Sequence, residues 1–386
     1  MHGSFCDELE KRMFEAYFRK YLEDFAKNPK PFWNYEAGVT LLGAKALYDV
    51  TGDEFYYERI VEHMDHYILP DGSIRYLNPD ERNLDRINSG KVLFYLYEKT
   101  GEERYKIALD TLMDLLRKHP RTSTGNFWHK DVYPYQIWLD GLYMGLPLYL
   151  EYETKYNGKE NYNDVYGQMS NVRKLMYNEE KQLYYHAYDE KRAMYWADPQ
   201  TGLSHNYWLR SIGWHLMALI DLHEICSQEV FEQYKQYAIW FKEALRGVLK
   251  YQDPASKLFY QLVDLPDEPG NYLETSGTAM VAYSILKGVR LGVLQSEKYR
   301  HIGEEMLEEL LRQKLVEIDG EMHLKDICLV AGVGNFEGQR RDGSVEYYLS
   351  EPIVMDEVKG VGAAALAYGE LLKLREQDKM WKGMRA

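Results

Sequence analysis

The residues best suited to chemistry in this chain lie in one run, Gly125 to Pro147 (GNFWHKDVYPYQIWLDGLYMGLP). It gathers Phe127, Trp128, Tyr133, Tyr135, Trp138 and Tyr143 around one carboxylate, Asp140, and one imidazole, His129. A carboxylate among large rings is costly unless paired or hydrogen-bonded, because burial disfavours its charged form. Such an environment raises a carboxyl pKa and suits a general acid. Aromatic faces also stack on sugar rings, so the same rings, Trp138 foremost, would form a carbohydrate subsite. The plainer alternative is an aromatic core segment with Asp140 capping a helix.

The elements that must position these groups show in a repeat. Leu47-Tyr-Asp-Val-Thr-Gly-Asp-Glu-Phe-Tyr56 and Leu96-Tyr-Glu-Lys-Thr-Gly-Glu-Glu-Arg-Tyr105 are near copies, with a looser third copy from Leu150 to Gly158. Each reads as the end of an apolar helix, a stop, and the start of a more polar helix. Apolar helices rich in small residues are predicted to start near Gly38, Gly90, Gly141, Gly213, Gly277 and Gly360. The segments between them, such as Tyr105–Leu116, are amphipathic and belong on the outside. Six inner and six outer helices close into an all-α, (α/α)6 barrel, predicted as one domain over residues 1–386. Lys181–Asp189 and Leu258–Asp264 break the period and read as short strands or loops. An open α-solenoid is the alternative.

The barrel puts the loops before all six inner helices on one rim. They read WNYEAG (Trp33–Gly38), LDRINSG (Leu84–Gly90), WLDG (Trp138–Gly141), WLRSIGW (Trp208–Trp214), YLETSG (Tyr272–Gly277) and EPIVMDEVKG (Glu351–Gly360). Each carries an ionisable residue. Any one alone is a helix cap by default; several facing one lumen point to a site. Arg210, planar and bidentate, is the first choice to hold an anionic group, with a structural pairing to a nearby Asp as the alternative. Lys359 is a second choice. Trp33, Tyr35 and Trp214 read as stacking walls or as core. His129 reads as a subsite residue or a loop support.

Bulk properties narrow the classes. A net charge of −14 argues against nucleic acid or an anionic membrane as partner. Three scattered cysteines show neither a disulfide framework nor metal spacing. No stretch approaches the roughly 20 apolar residues of a membrane span. The charged N-terminal helix lacks the apolar stretch of a signal peptide. A cytoplasmic protein without metal or cofactor is expected, as monomer or homodimer.

Taken together, FWHK…YPYQIWLDGLYM, YYHAYD…WADP, WxxRxxGW, YLETSG and RDGSVEYYLSEPIVMDEVKGVG resemble the unsaturated rhamnogalacturonyl hydrolases of glycoside hydrolase family 105. Those enzymes are related to the unsaturated glucuronyl hydrolases of family 88. The resemblance runs from Trp33 to about Gly362. It implies an (α/α)6 barrel that removes a 4,5-unsaturated uronic acid from the non-reducing end of pectin-derived fragments. The substrate would be a small anionic disaccharide or short oligosaccharide. The implied chemistry is hydration of an enol ether rather than displacement between two carboxylates. By motif position Asp140 is the acid and base, Asp85 the second acidic residue, and His186 a site residue that orients water or a sugar hydroxyl. Three alternatives stand: a glucuronyl hydrolase acting on glycosaminoglycan fragments, a sugar 2-epimerase, and a non-catalytic helical scaffold. The epimerases rely on paired lumenal histidines, which fit WLDG poorly. Whether a second carboxylate raises the pKa of Asp140 or Asp85, or a helix N-terminus lowers it, is open at this level.

Overall fold

The structure, a computed structural model, describes residues 3–336 and 338–383. Among the described residues the chain forms thirteen α-helices. In order they are α1 (Gly3–Lys27), α2 (Tyr35–Thr51), α3 (Glu54–Tyr67), α4 (Lys91–Thr100), α5 (Glu103–Arg117), α6 (Leu139–Tyr156) and α7 (Tyr162–Met176). Then come α8 (Leu209–Ile225), α9 (Phe231–Val248), α10 (Thr275–Arg290), α11 (Ser296–Lys314), the short α12 (Val345–Ser350) and α13 (Val358–Gly383).

Two concentric rings result. Helices α2, α4, α6, α8, α10 and α13 pack side by side, and α13 closes the ring against α2. Helices α3, α5, α7, α9 and α11 each pack on an inner neighbour, and α1 lies between α11 and α3 on the outside. The (α/α)6 barrel follows from composition. Every residue of α8 from Leu209 to His223 is buried, so this helix has no solvent face to offer. In α3 only Tyr56, Ile60, His63, Met64 and Tyr67 are buried, a single stripe turned to the core. Each fully buried apolar side chain of such a stripe contributes about 1.5–3 kcal/mol.

The repeat works through its glycines. Gly52 and Gly101 end α2 and α4 at φ 64° and 70°. Their amides donate to the carbonyls of Tyr48 and Tyr97 in a left-handed cap that a Cβ would strain. The third copy differs: α6 runs on to Tyr156 and stops at Asn157 without that cap. The six inner helices start at or within a few residues of the expected glycines.

The strand-like stretches behave differently from one another. Within 181–189, Leu183–Tyr184 pairs with Tyr177–Asn178, and Ala187–Asp189 pairs antiparallel with Gln136–Trp138. Residues 258–264 form only isolated bridges, Trp208 to Leu262 and Tyr260 to Leu273. Two hairpins had no counterpart in the sequence reading: Leu315–Ile318 with Glu321–Leu324, and Gly334–Phe336 with Gln339–Arg341. No described helix is long and apolar enough to cross a membrane.

Candidate active site

A cavity of about 500 Å³ opens at the N-terminal ends of the inner helices. Two carboxylates reach it from neighbouring helix starts. Asp85 sits in the 3-10 turn Leu84–Arg86, where Asn83 caps its amide at 3.0 Å. Asp140 is the second residue of α6. The loop holding His129 and Lys130 is stitched between them: the Leu84 amide donates to the His129 carbonyl, the His129 amide to that of Gln136, and Asn83 bridges to Lys130. Gly141 makes this approach possible, since a Cβ there would come within 2.9 Å of Leu84 Cδ1 and 3.0 Å of His129 Nδ1.

The two carboxylates have different surroundings. Lys130 Nζ lies 2.6 Å from Asp85 Oδ2, and His129 Nε2 lies 4.0 Å from Oδ1. Burial pushes the Asp85 carboxyl up. Lys130, His129 and Arg86 together pull harder, and the net is below its ordinary 3.8. Desolvation holds His129 down at about 4, so the imidazole is neutral at pH 7. Asp140 has no Lys or Arg partner at ion-pair distance among the described residues. Its Oδ2 instead lies 3.1 Å from His186 Nε2, off the direction a hydrogen bond requires. His186 arrives there because the Ala187–Asp189 strand pairs with Gln136–Trp138 and the Leu139 amide donates to the His186 carbonyl. On its other side, His186 Nδ1 is 2.7 Å from the Tyr348 hydroxyl. Burial keeps that phenol protonated. A phenol that donates to Nδ1 pairs with the tautomer carrying the ring proton on Nε2, the nitrogen nearer Asp140, and one that accepts from Nδ1 pairs with the other.

Aromatic rings wall the cavity. Trp138 packs against both His129 and Tyr133, with centroids at 4.4 and 4.8 Å and rings within 20° of parallel. Tyr35 lines the opposite side. The other ring residues singled out from sequence lie behind this lining. Trp33 is 1% exposed and donates its indole proton to the Arg86 carbonyl at 2.6 Å, bracing the turn that carries Asp85. Trp214, also 1% exposed, stacks on Tyr143 at 4.8 Å and meets Tyr35 edge-on at 6.3 Å.

Cations are distributed unlike the sequence expectation. Arg210 is buried outside the cavity lining. Its Nη1 donates to the Cys328 carbonyl at 2.5 Å and the Ser276 hydroxyl at 3.2 Å, and its Nη2 to the Leu329 carbonyl at 3.3 Å. Those bonds shape the wall, because Leu329 does line the cavity. Among the described residues no acidic side chain is paired to Arg210 at ion-pair distance; its partners are carbonyls and a hydroxyl. Lys359 lines the cavity but is bracketed by Glu357 and, at 3.7 Å, Glu36. Three further cations line it that sequence reasoning did not single out, among them the exposed Lys30. Lys130 sat in plain view beside His129. Arg341 comes from the unforeseen Gly334–Arg341 hairpin, with its Nε 3.8 Å from Glu351. Arg341 Nη1 and the Trp138 ring press on the same spot, both about 3.1 Å from where a Cβ on Gly332 would lie.

The cavity thus combines carboxylates in unequal environments, flat rings and lining cations. The chain belongs to Glycosyl Hydrolase Family 88, whose sequence profile matches residues 6–375. It is therefore a glycoside hydrolase. Among solved structures it is similar to a glycoside hydrolase from family 105 of C. acetobutylicum ATCC 824, at 40% identity and TM-score 0.86, covering 92% of this chain and 99% of that one. Among curated proteins it is similar to the unsaturated rhamnogalacturonyl hydrolase YesR of Bacillus subtilis (strain 168), 26% identical over 294 residues, 75% of this chain and 76% of YesR. An unsaturated glucuronyl hydrolase specific for heparin shares the fold, with TM-score 0.73 at 14% identity over 96% of this chain and 98% of that one.

Proposed function

We propose that the chain removes a 4,5-unsaturated uronic acid from the non-reducing end of rhamnogalacturonan-derived oligosaccharides. The observation that carries this reading is the unequal pair of carboxylates: Asp85 is held ionised by Lys130, while Asp140 faces only His186. The C4=C5 bond of such a sugar is an enol ether. Asp140 delivers its proton to C4, positive charge spreads over C5 and the ring oxygen, and the Asp140 carboxylate then takes a proton from the water that adds at C5. The product is a hemiketal. It collapses with opening of the ring, and the aglycone leaves C1 as an alcohol.

In this scheme Asp85 stays a carboxylate, stabilising the cationic centre across the ring and accepting a sugar hydroxyl. His186 lies beside Asp140, its Nε2 3.1 Å from Oδ2, within reach of the water that adds at C5. Trp138 stacks on the sugar, and Lys130 and Arg341 are the lining cations that face its carboxylate. Arg210 holds the wall formed by residues 328 and 329.

The similarity to YesR favours the pectic substrate. The glucuronyl alternative shares the enoate and differs in the aglycone. Incubation with unsaturated rhamnogalacturonan and unsaturated chondroitin disaccharides, followed by loss of the enoate ultraviolet absorbance, separates the two. Faster loss on the first supports the proposal. Faster loss on the second replaces the substrate, and loss on neither removes the reaction.

A further inference from the structure

The barrel has a second cavity at its other end. A volume of about 460 Å³ lies among the six inner helices away from their N-terminal rim, a size typical of small-molecule sites. None of the groups assigned above to the hydrolytic site lines it. Its deepest residues are Lys91, the first residue of α4, and Tyr143, in the second turn of α6.

The charges around it are matched with one exception. Lys45 pairs with Asp49 at 2.7 Å, and Lys287 with Asp221 at 2.7 Å and Glu224 at 2.6 Å. Lys155 pairs with Glu98 and with Glu151 at 3.3 Å, and Lys373 with Glu370 at 3.3 Å. Among the described residues Lys91 has no acceptor. It is 93% buried, and its Nζ rests 3.4 Å from the centroid of the Tyr143 ring with no hydrogen-bond partner. A ring face replaces only part of the hydration lost by a buried ammonium. Desolvation accordingly pulls Lys91 down to about 7, against the attraction of Asp221 and Glu151.

We propose that this far cavity binds a ring-sized monocarboxylate whose carboxylate takes Lys91 as its counter-ion. The four-carbon stem of Lys91 lets the ammonium lift off Tyr143 to meet it. Phe94, Tyr95, Tyr143 and Tyr283 offer faces to a flat body. The lining carries six carboxyl groups against five amines. Lys91 is the one lining amine without a carboxylate at ion-pair distance among the described residues, so it suits a single negative charge, while the surrounding carboxylates repel a polyanion such as a phosphate ester more strongly. The site stands independently of the hydrolytic reading, because no residue of that reading enters it.

Crystals of the full chain soaked separately with D-galacturonate and with benzoate test the proposal, alongside calorimetric titration of wild type and Lys91→Met. At least one acid is expected in the far cavity with a carboxylate oxygen at hydrogen-bond distance from Lys91 Nζ. Its affinity there should fall at least about tenfold in the variant, the loss of a charge-assisted bond. The acid that enters decides between a sugar acid and an aromatic acid. A far cavity empty of both acids overturns the proposal, and so does unchanged affinity in Lys91→Met. If the variant does not fold, the wild-type soaks still decide.

Discussion

Lys130 Nζ sits 2.6 Å from Asp85 Oδ2, while no lysine or arginine among the described residues reaches Asp140. One ammonium thus distinguishes two aspartates that the sequence presents alike, each beside the start of an inner helix. Lys130→Met should undo the distinction. Burial would then act on Asp85 with less opposition, and its pKa should rise. The acid limb of the kcat/KM profile is expected to move to higher pH, with the alkaline limb unchanged. An unmoved acid limb would show that Asp85 need not be ionised.

The same pair predicts acid lability. Because Asp85 is depressed in the fold relative to its ordinary 3.8, its stabilising contribution is complete above that value and lost as pH falls through the folded pKa. Thermal melts of wild type and Lys130→Met, followed from pH 6 down to pH 3, should therefore converge at the acid end. A constant gap across the range would mean that the ion pair adds nothing pH-dependent.

The Tyr348 hydroxyl lies 2.7 Å from His186 Nδ1, so whether it donates or accepts is coupled to which imidazole nitrogen carries the proton. Tyr348→Phe keeps the ring but frees the tautomer. We expect kcat to fall about tenfold or more with KM little changed, a positioning effect on a group that serves general acid–base catalysis. A change confined to KM would place Tyr348 in binding instead.

Arg341 gives a specificity test. Arg341→Met retains the stem against Trp138 and removes the charge. KM for the unsaturated disaccharide should rise about tenfold or more, while a carboxyl-reduced analogue should bind equally well to both forms. Arg210→Met should behave otherwise, because its bonds go to the Cys328 and Leu329 carbonyls. Leaving those buried acceptors unmade costs about 1–3 kcal/mol each, so its first symptom is a lower melting temperature. If Arg210→Met instead melts like wild type and loses only affinity for the charged sugar, the two arginines exchange roles.

The contrast between these arginines marks how far sequence carries. Inner-helix starts were legible because small-residue apolar runs and left-handed glycine stops are local properties of the chain. That Asp85, Trp138 and Asp140 line one cavity follows from their places at helix starts, whereas His129 reaches it from a loop. What position along a helix does not give is the direction of a side chain. Trp33, Arg210 and Trp214 stand at rim positions yet point behind the lining, where they brace Arg86, residues 328 and 329, and Tyr143. Arg341 depends on a hairpin about 200 residues further along the chain than Trp138. No periodicity announces such a distant pairing. Lys130 was visible in FWHK, but its role required knowing that the Asn83 and Lys130 strands bridge.

Asp140→Asn tests the proton transfer itself. The amide keeps the size of the side chain and a hydrogen-bonding oxygen for His186, but has no proton of carboxylic acidity to deliver to C4. General acid–base groups contribute about 10²–10⁴-fold, and one serving both protonation and water activation should cost at least that in kcat. Binding depends on Trp138, Lys130 and Arg341, which the substitution leaves in place, so KM should stay within a few-fold and unhydrolysed disaccharide should be visible in crystals. Asp85→Asn should also lose activity. It leaves Lys130 unpaired in the cavity, so it should bind the uronate at least as tightly while turning it over slowly. Should Asp140→Asn turn over near the wild-type rate while Asp85→Asn does not, the proton must come from Asp85, and the Lys130 ion pair would have to break on substrate binding.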